Sequence, residues 1–249
     1  MSAPFGRRPV LLLERRALGR YVVLAADDGA AAATPGQFYM LAAAERWGGG
    51  EAERPFLSRA MSVLRAADET VEFMLEDVGP GTRRLCELEP GQELLLAGPF
   101  GNGFTPGGPD TLLVGGGIGV APLLFAQERW GGRALLGFRD ALRARAAELF
   151  SAPRIATDDG SLGHHGFVTD LLEEELAAAA PSAVYACGPP AMLAAVRDRA
   201  RRHGVACELA IEAPMACGFG ACYGCVVETV DGYRRACVDG PVFDGALLA

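Results

Sequence analysis

The sequence predicts a β + α/β fold with an N-terminal antiparallel barrel, a parallel-sheet α/β domain and a small C-terminal lobe rich in cysteine. Three observations predict it. Short apolar and β-branched runs, separated by turn residues, fill residues 8–104. From residue 110 strand-like and helix-like segments alternate, the pattern of a parallel sheet with helices on its faces. From residue 212 that rhythm stops, and four of the seven cysteines fall in the last 33 residues. The boundaries expected from these changes are 1–105, 106–211 and 212–249.

The barrel strands are expected at Val10–Leu13, Tyr21–Leu24, Phe38–Leu41, Val71–Leu75 and Leu94–Leu96, with a short helix over Arg83–Leu88. In the second region Thr111–Val114 reads as a buried strand and Ala121–Trp130 as a helix. Ala134–Phe138, Leu142–Phe150, Arg154–Ala156, Thr169–Ala180, Ala183–Cys187 and Ala191–His203 continue the alternation. Cys86 and Cys207 fall in helix or strand contexts and read as small core residues.

Half of the residues are apolar and 22% are charged, which suits a chain that buries a core. A net charge of −8 makes the chain a poor ligand for nucleic acid or an anionic membrane. The N-terminus has only a four-residue apolar run, Val10–Leu13, too short for a secretory signal. The longest uncharged stretch, Thr111–Gln127, is broken by Gly115, Gly116, Gly117, Gly119 and Pro122, so it is not a membrane span. A cytoplasmic location is expected. The odd cysteine count then argues against a disulfide framework.

Cys217, Cys222, Cys225 and Cys237 have the spacing C-x4-C-x2-C-x11-C. The first three match plant-type [2Fe–2S] ferredoxins. Thiolates are soft ligands for an iron–sulfide core. Gly218, Gly220 and Gly224 let the backbone pass close, so that N–H groups can point at sulfur. A structural zinc site is the alternative. Zinc sites usually show two paired knuckles, whereas here the fourth cysteine stands alone.

Val114-Gly115-Gly116-Gly117-Ile118-Gly119-Val120-Ala121-Pro122 follows a strand and opens a helix. Glycine lets the backbone approach a pyrophosphate, and the helix N-terminus supplies N–H donors. The pattern is not a strict G-x-G-x-x-G, so a tight structural turn is the competing interpretation. Cys187-Gly188-Pro189-Pro190 sits at a second strand–helix junction, where such sheets bind ligands.

Taken in order, these stretches resemble the ferredoxin–NADP⁺ reductase superfamily, and within it the electron-transfer subunits of class B dihydroorotate dehydrogenases. The resemblance runs from Pro35-Gly36-Gln37-Phe38 to Cys237-Val238-Asp239-Gly240-Pro241-Val242-Phe243. Met215–Cys222 with the downstream Cys237–Phe243 is its most specific part, and Gly98–Phe104 and Thr157–Ser161 are also typical. The resemblance implies an FAD-binding barrel, a Rossmann-like NAD domain and a [2Fe–2S] lobe. It places the flavin motif at Arg59-Ala60-Met61-Ser62, with Arg59 on a phosphate and Ser62 on the flavin. Met61 stands where relatives often have Tyr, so an aromatic stack on the flavin is not implied. Met74-Leu75-Glu76 and Gly81-Thr82 match the next two FAD-contacting segments. NAD(H) would lie across Gly115, Gly116, Gly117 and Gly119, with its nicotinamide near Cys187 and Gly188.

The function implied is electron transfer between NAD(H), FAD and the cluster, to or from an FMN-containing catalytic subunit in a heterotetramer of pyrimidine biosynthesis. The cofactors carry the chemistry, so no catalytic acid–base pair is expected, and His164, His165 and His203 read as solvated. A related reductase subunit serving ferredoxin, sulfide or hydrogenase chemistry is the second reading; some of those relatives use a non-Cys first ligand, and Cys217 favours the first. A zinc-bearing interaction module is the alternative of a different class. Arg139 and Asp140 end the second α/β strand, where the ribose 2′ position is read, and having both leaves NADH against NADPH open from these residues. The docking face expected for the partner spans Cys222–Cys225 and Gly240–Phe243, with packing of Val242 and Phe243 onto the barrel as the alternative.

Overall fold

The computed structural model describes residues 6–29, 32–49 and 55–248. Its N-terminal runs form β1 (Arg8–Leu18), β2 (Tyr21–Asp27), β3 (Phe38–Ala43), β4 (Arg59–Ala67), β5 (Thr70–Glu76) and β6 (Glu93–Phe100). They close an antiparallel barrel in the order β1–β2–β5–β4–β3–β6. Alternating side chains turn Leu12, Leu24, Tyr39, Leu41, Val63, Phe73, Leu75, Leu94 and Leu96 into its core. Tyr39 is buried there with its polar end satisfied: its hydroxyl donates to Asp28 Oδ2 at 2.6 Å, and Arg8 pairs with Oδ1 of the same carboxylate. Helix α1 (Pro80–Cys86) links β5 to β6, with Pro80 in its first turn.

The β4–β5 ladder runs only from Ala67–Thr70 to Val63–Phe73. Beyond it, Arg59–Ser62 pair on one side with β3, and Met74–Glu76 on one side with β2. Their facing edges have no ladder pairing with each other. Unpaired strand edges carry backbone donors and acceptors that need other partners.

The second region contains β7 (Leu112–Gly116), a 3₁₀ turn (Gly117–Val120), α2 (Ala121–Trp130), β8 (Arg133–Phe138), α3 (Ala141–Ala144), a second 3₁₀ turn (Arg145–Leu149) and β9 (Arg154–Thr157). It continues with β10 (His164–His165), α4 (Val168–Ala178), β11 (Val184–Cys187), α5 (Pro190–Arg202) and β12 (Cys207–Ala210). The helix expected over Leu142–Phe150 is thus one α-turn that tightens into 3₁₀. The C-terminal residues supply a hairpin, β13 (Val226–Thr229) and β14 (Gly232–Arg235), and then β15 (Val242–Asp244). The sheet order is β10–β9–β8–β7–β11–β12–β15. All neighbours are parallel except β15, which pairs antiparallel with β12 through Leu209 and Phe243. The cysteine lobe is therefore stitched into the edge of the α/β sheet.

The lobe also rests on the barrel. Phe38, Met40 and Ala97 form one buried cluster with Cys225, Ala236, Cys237 and Phe243. The loop leaving β6 holds the two together: Asn102 N donates to Gly240 O at 2.6 Å, and Asn102 Nδ2 donates to the carbonyls of Val238 and Asp239 at 3.2 Å. Among the described residues no helix is long and apolar enough to cross a membrane.

Candidate cofactor sites

The expected flavin motif, Arg59–Ser62, lies on β4 at the split in the barrel wall. Arg59 packs its guanidinium against Gly81 of α1, where any Cβ would collide with it. Arg59 Nη1 donates to Leu57 O at 2.5 Å, and the guanidinium lies over the Trp47 ring, 5.8 Å from its centroid. Two buried polar atoms flank it without a hydrogen-bond partner among the described residues, Trp47 Nε1 and Ser58 Oγ. Buried polar groups are normally satisfied, so orphans beside a cation and an open strand edge suit a ligand rich in phosphate and hydroxyl oxygens. Ala60, Met61 and Ser62 pair with Met40, Tyr39 and Phe38 and are half-buried. Met74 and Leu75 turn their side chains into the two cores on either side, which leaves backbone for a ligand. Thr82 Oγ1 accepts from Val78 N and donates to Gly79 O. The Glu76 carboxylate accepts from Arg143 Nη2 at 2.8 Å, an ion pair from barrel to α/β domain.

The two glycine-bearing loops meet at the ends of β7 and β11. Gly116 faces Pro189 and Met192, and a Cβ on Gly119 would come within 2.5 Å of Cys187 O. Glycine here is a condition of contact between the loops. Gly117 has φ +57 and faces open space, a left-handed position that favours glycine. Burial, with a contribution from the nearby Glu212 carboxylate, pushes the Cys187 thiol up to about 12. Such a shift favours the neutral thiol over the reactive thiolate. Asp140 is committed locally. It accepts from Arg143 N at 2.9 Å and from Arg143 Nη1 at 2.6 Å, capping α3, and these bonds lower its pKa. Arg139, beside it, is exposed. Glu212, which the sequence did not single out, stands next to Cys187 through the step from β12 into the lobe.

The four cysteines expected to hold a cluster fall into two pairs. Cys225 and Cys237 are both buried, with sulfurs 3.1 Å apart. Cys217 is linked to the exposed Cys222: burial opposes its ionisation, but the N–H groups of Phe219, Cys222 and Ala221 and the Cys222 thiol outweigh it and lower the pKa to about 6. Among the described residues no three His, Cys, Asp or Glu side chains gather as a single-ion site. Two thiol pairs, with N–H groups aimed at one sulfur, suit a two-iron centre, in which each iron takes two protein ligands.

The model of the iron–sulfur cluster binding domain of dihydroorotate dehydrogenase B matches residues 212–249. The NAD(+)-linked dihydroorotate dehydrogenase B electron transfer subunit of Caldanaerobacter subterraneus subsp. tengcongensis is 35% identical over 218 residues, covering 84% of each chain. The chain belongs to the family of dihydroorotate dehydrogenase B electron transfer subunits. The probable electron transfer subunit of Methanopyrus kandleri is 37% identical over 84% of this chain and 78% of its own. The fold matches the structure of an NADH-dependent reduced ferredoxin-NADP oxidoreductase over the whole chain and 91% of that chain, with TM-score 0.79 and 24% identity. It also matches a Neisseria gonorrhoeae ferredoxin NADP⁺ reductase with bound FAD and NADP over 80% of this chain, with TM-score 0.60 and 19% identity. In this dihydroorotate dehydrogenase B family member the expected fold class holds: a six-strand antiparallel barrel, an α/β sheet and a C-terminal iron–sulfur binding segment.

The expected docking face needs one correction. Val242 and Phe243 are 8% and 4% exposed and pack in the joint between lobe, sheet and barrel. A residue so placed offers no surface to a partner. His165 is exposed, and His164 and His203 are partly exposed and lie 3.4 Å from Asp170 and 2.9 Å from Glu173.

Proposed function

We propose that this chain takes electrons from NADH and delivers them singly, through a [2Fe–2S] cluster on Cys217, Cys222, Cys225 and Cys237, to the FMN-containing catalytic subunit of an NAD-linked dihydroorotate dehydrogenase; the same route run backwards returns them to NAD⁺. The observation that carries this reading is a juxtaposition. The cysteine lobe packs on the outer faces of β3 and β6, and Met40, which touches Gly218 beside Cys217, is the ladder partner of Ala60 in the flavin motif. Strand and ligand loop are separated by one side chain.

When bound, FAD converts a two-electron donor into single electrons and the cluster carries them one at a time. The chain's own residues bind and orient. Arg59 supplies positive charge for a pyrophosphate, and Ser58, Trp47 and Ser62 supply polar atoms. Gly115–Gly119 and Cys187–Gly188 form the floor on which a nicotinamide lies, and Glu212 borders it. The family names attach NAD(+) to these enzymes, and the commitment of Asp140 to its helix cap leaves the ribose contact to other groups at the strand ends. A reduced compartment, the cytoplasm, suits seven free cysteines.

Anaerobically purified protein should contain FAD, and iron with acid-labile sulfide in equal amounts. Protein containing zinc and no iron would overturn the reading. A second expectation concerns the coenzyme floor. Gly119→Val places methyl groups against Cys187 O and should slow NADH-dependent flavin bleaching by about a hundredfold, the effect of a displacement of ~1 Å, with FAD and iron content kept. Stopped-flow absorbance measures this. A Gly119→Val protein that bleached at the parent rate would show that the two loops do not hold the nicotinamide.

A further inference from the structure

The segment 212–249 contains five acidic residues and two basic ones, Arg234 and Arg235. Arg234 is exposed, and its side chain leaves the opposite face of β14 from that of Arg235. Arg235 turns into the cysteine loop. Its Nη1 donates to Gly220 O at 3.1 Å, between Cys217 and Cys222. Its guanidinium covers the Tyr223 ring at 5.1 Å, between Cys222 and Cys225. Tyr223 has φ +58, a left-handed position rare for an aromatic residue, and is 64% exposed, so this stacking is what steadies it. Arg235 itself stands two residues before Cys237. Its backbone N donates to Asp239 Oδ2 at 2.7 Å, and its Nε lies 3.8 Å from the same oxygen. One guanidinium thus touches both short intervals of the ligand loop and is opposed by one carboxylate.

Four thiolates make an iron–sulfur site negative, and reduction adds one more charge. A nearby cation stabilises the reduced form more than the oxidised one, and a nearby anion does the reverse. We propose that Arg235 is the residue that raises the reduction potential of the cluster, with Asp239 as its counterweight. The inference rests on the [2Fe–2S] reading above and goes beyond it, because it assigns the tuning to residues that are not ligands.

The test is an anaerobic potentiometric titration of the full-length protein, followed by electron paramagnetic resonance. Arg235→Gln keeps a polar side chain at this position but removes the charge. The one-electron reduction constant should fall about tenfold, which is ~59 mV towards negative potential. Arg235→Lys keeps the charge and should stay near the parent value. Asp239→Asn should shift the potential the other way. An unshifted Arg235→Gln, or equal shifts in Arg235→Gln and Arg235→Lys, would overturn the proposal. If Arg235→Gln fails to retain iron, Asp239→Asn decides: an unchanged or more negative potential overturns it. A parent protein without iron and sulfide would defeat the cluster reading itself, whereas iron-replete variants with unmoved potentials defeat only the role of Arg235.

Discussion

Cys222→Ala should abolish the iron–sulfur signal while leaving NADH-dependent flavin bleaching within about twofold of the parent, the tolerance expected for sites that share no partners. Cys222 is exposed on the cysteine loop, and its hydrogen bonds, to Gly224 N and to Cys217, stay within that loop. The lobe itself is held by features far from it, namely the β12–β15 pairing, the Asn102 clamp and the buried cluster around Phe243. The fold should therefore survive loss of one ligand. Iron analysis and stopped-flow bleaching give the two readouts. A folded, FAD-loaded variant that no longer bleached with NADH would show that the lobe takes part in hydride transfer.

The isolated chain should not oxidise dihydroorotate, and adding the FMN-containing subunit should establish dihydroorotate-dependent NAD⁺ reduction. The surface expected to dock the partner is an apolar one that includes Phe219, Tyr223, Val226, Val238 and the hairpin residues Val230 and Tyr233, all exposed. An electron carrier needs its cluster close to the acceptor, and exposed aromatics at the rim of such a site are what an interface buries. Tyr233, 76% exposed, stands on the β13–β14 hairpin and not in the 217–225 segment that carries three of the cysteines. Tyr233→Asp should weaken assembly by roughly thirtyfold, the cost of about 2 kcal/mol at an interface anchor, with FAD, iron and NADH bleaching unchanged. Titration calorimetry or analytical ultracentrifugation of the two subunits measures it. Phe243→Asp is a different experiment: it buries a charge in the core of the joint and should unfold the lobe. Unchanged assembly in Tyr233→Asp and Val230→Asp together would move the interface elsewhere.

Much of this architecture was legible because its signals are local. The cysteine spacing and the alternation of apolar runs with turn residues act over a few positions, so the barrel, the α/β rhythm and the C-terminal iron–sulfur binding segment could be read directly. β4 was harder: Arg59 and Arg65 interrupt its apolar pattern, and its strand character comes from pairing with β3 and β5. β15 was invisible for a related reason. Three residues, Val242–Asp244, carry no strand period, and only the long-range pairing with β12 makes them part of the sheet. The same holds for side chains whose roles depend on tertiary neighbours. Arg139 and Asp140 both stand in sequence where a ribose 2′ position is read, yet Asp140 caps its own helix through Arg143. Glu212 has no motif around it and becomes notable only beside Cys187. The Gly98–Phe104 signature also gains a physical reason, because Asn102 ties the barrel exit to the cysteine lobe.

The most direct test of the whole account is an anaerobic titration of the purified chain with NADH, followed at once by flavin absorbance and by electron paramagnetic resonance of the frozen samples. The account predicts that NADH bleaches the flavin and that the signal of a reduced [2Fe–2S] cluster grows in the same protein, with the signal absent from Cys222→Ala while bleaching remains. Flavin bleaching with an iron-replete cluster that never becomes reduced, under any excess of NADH, would contradict the proposed route from coenzyme to cluster.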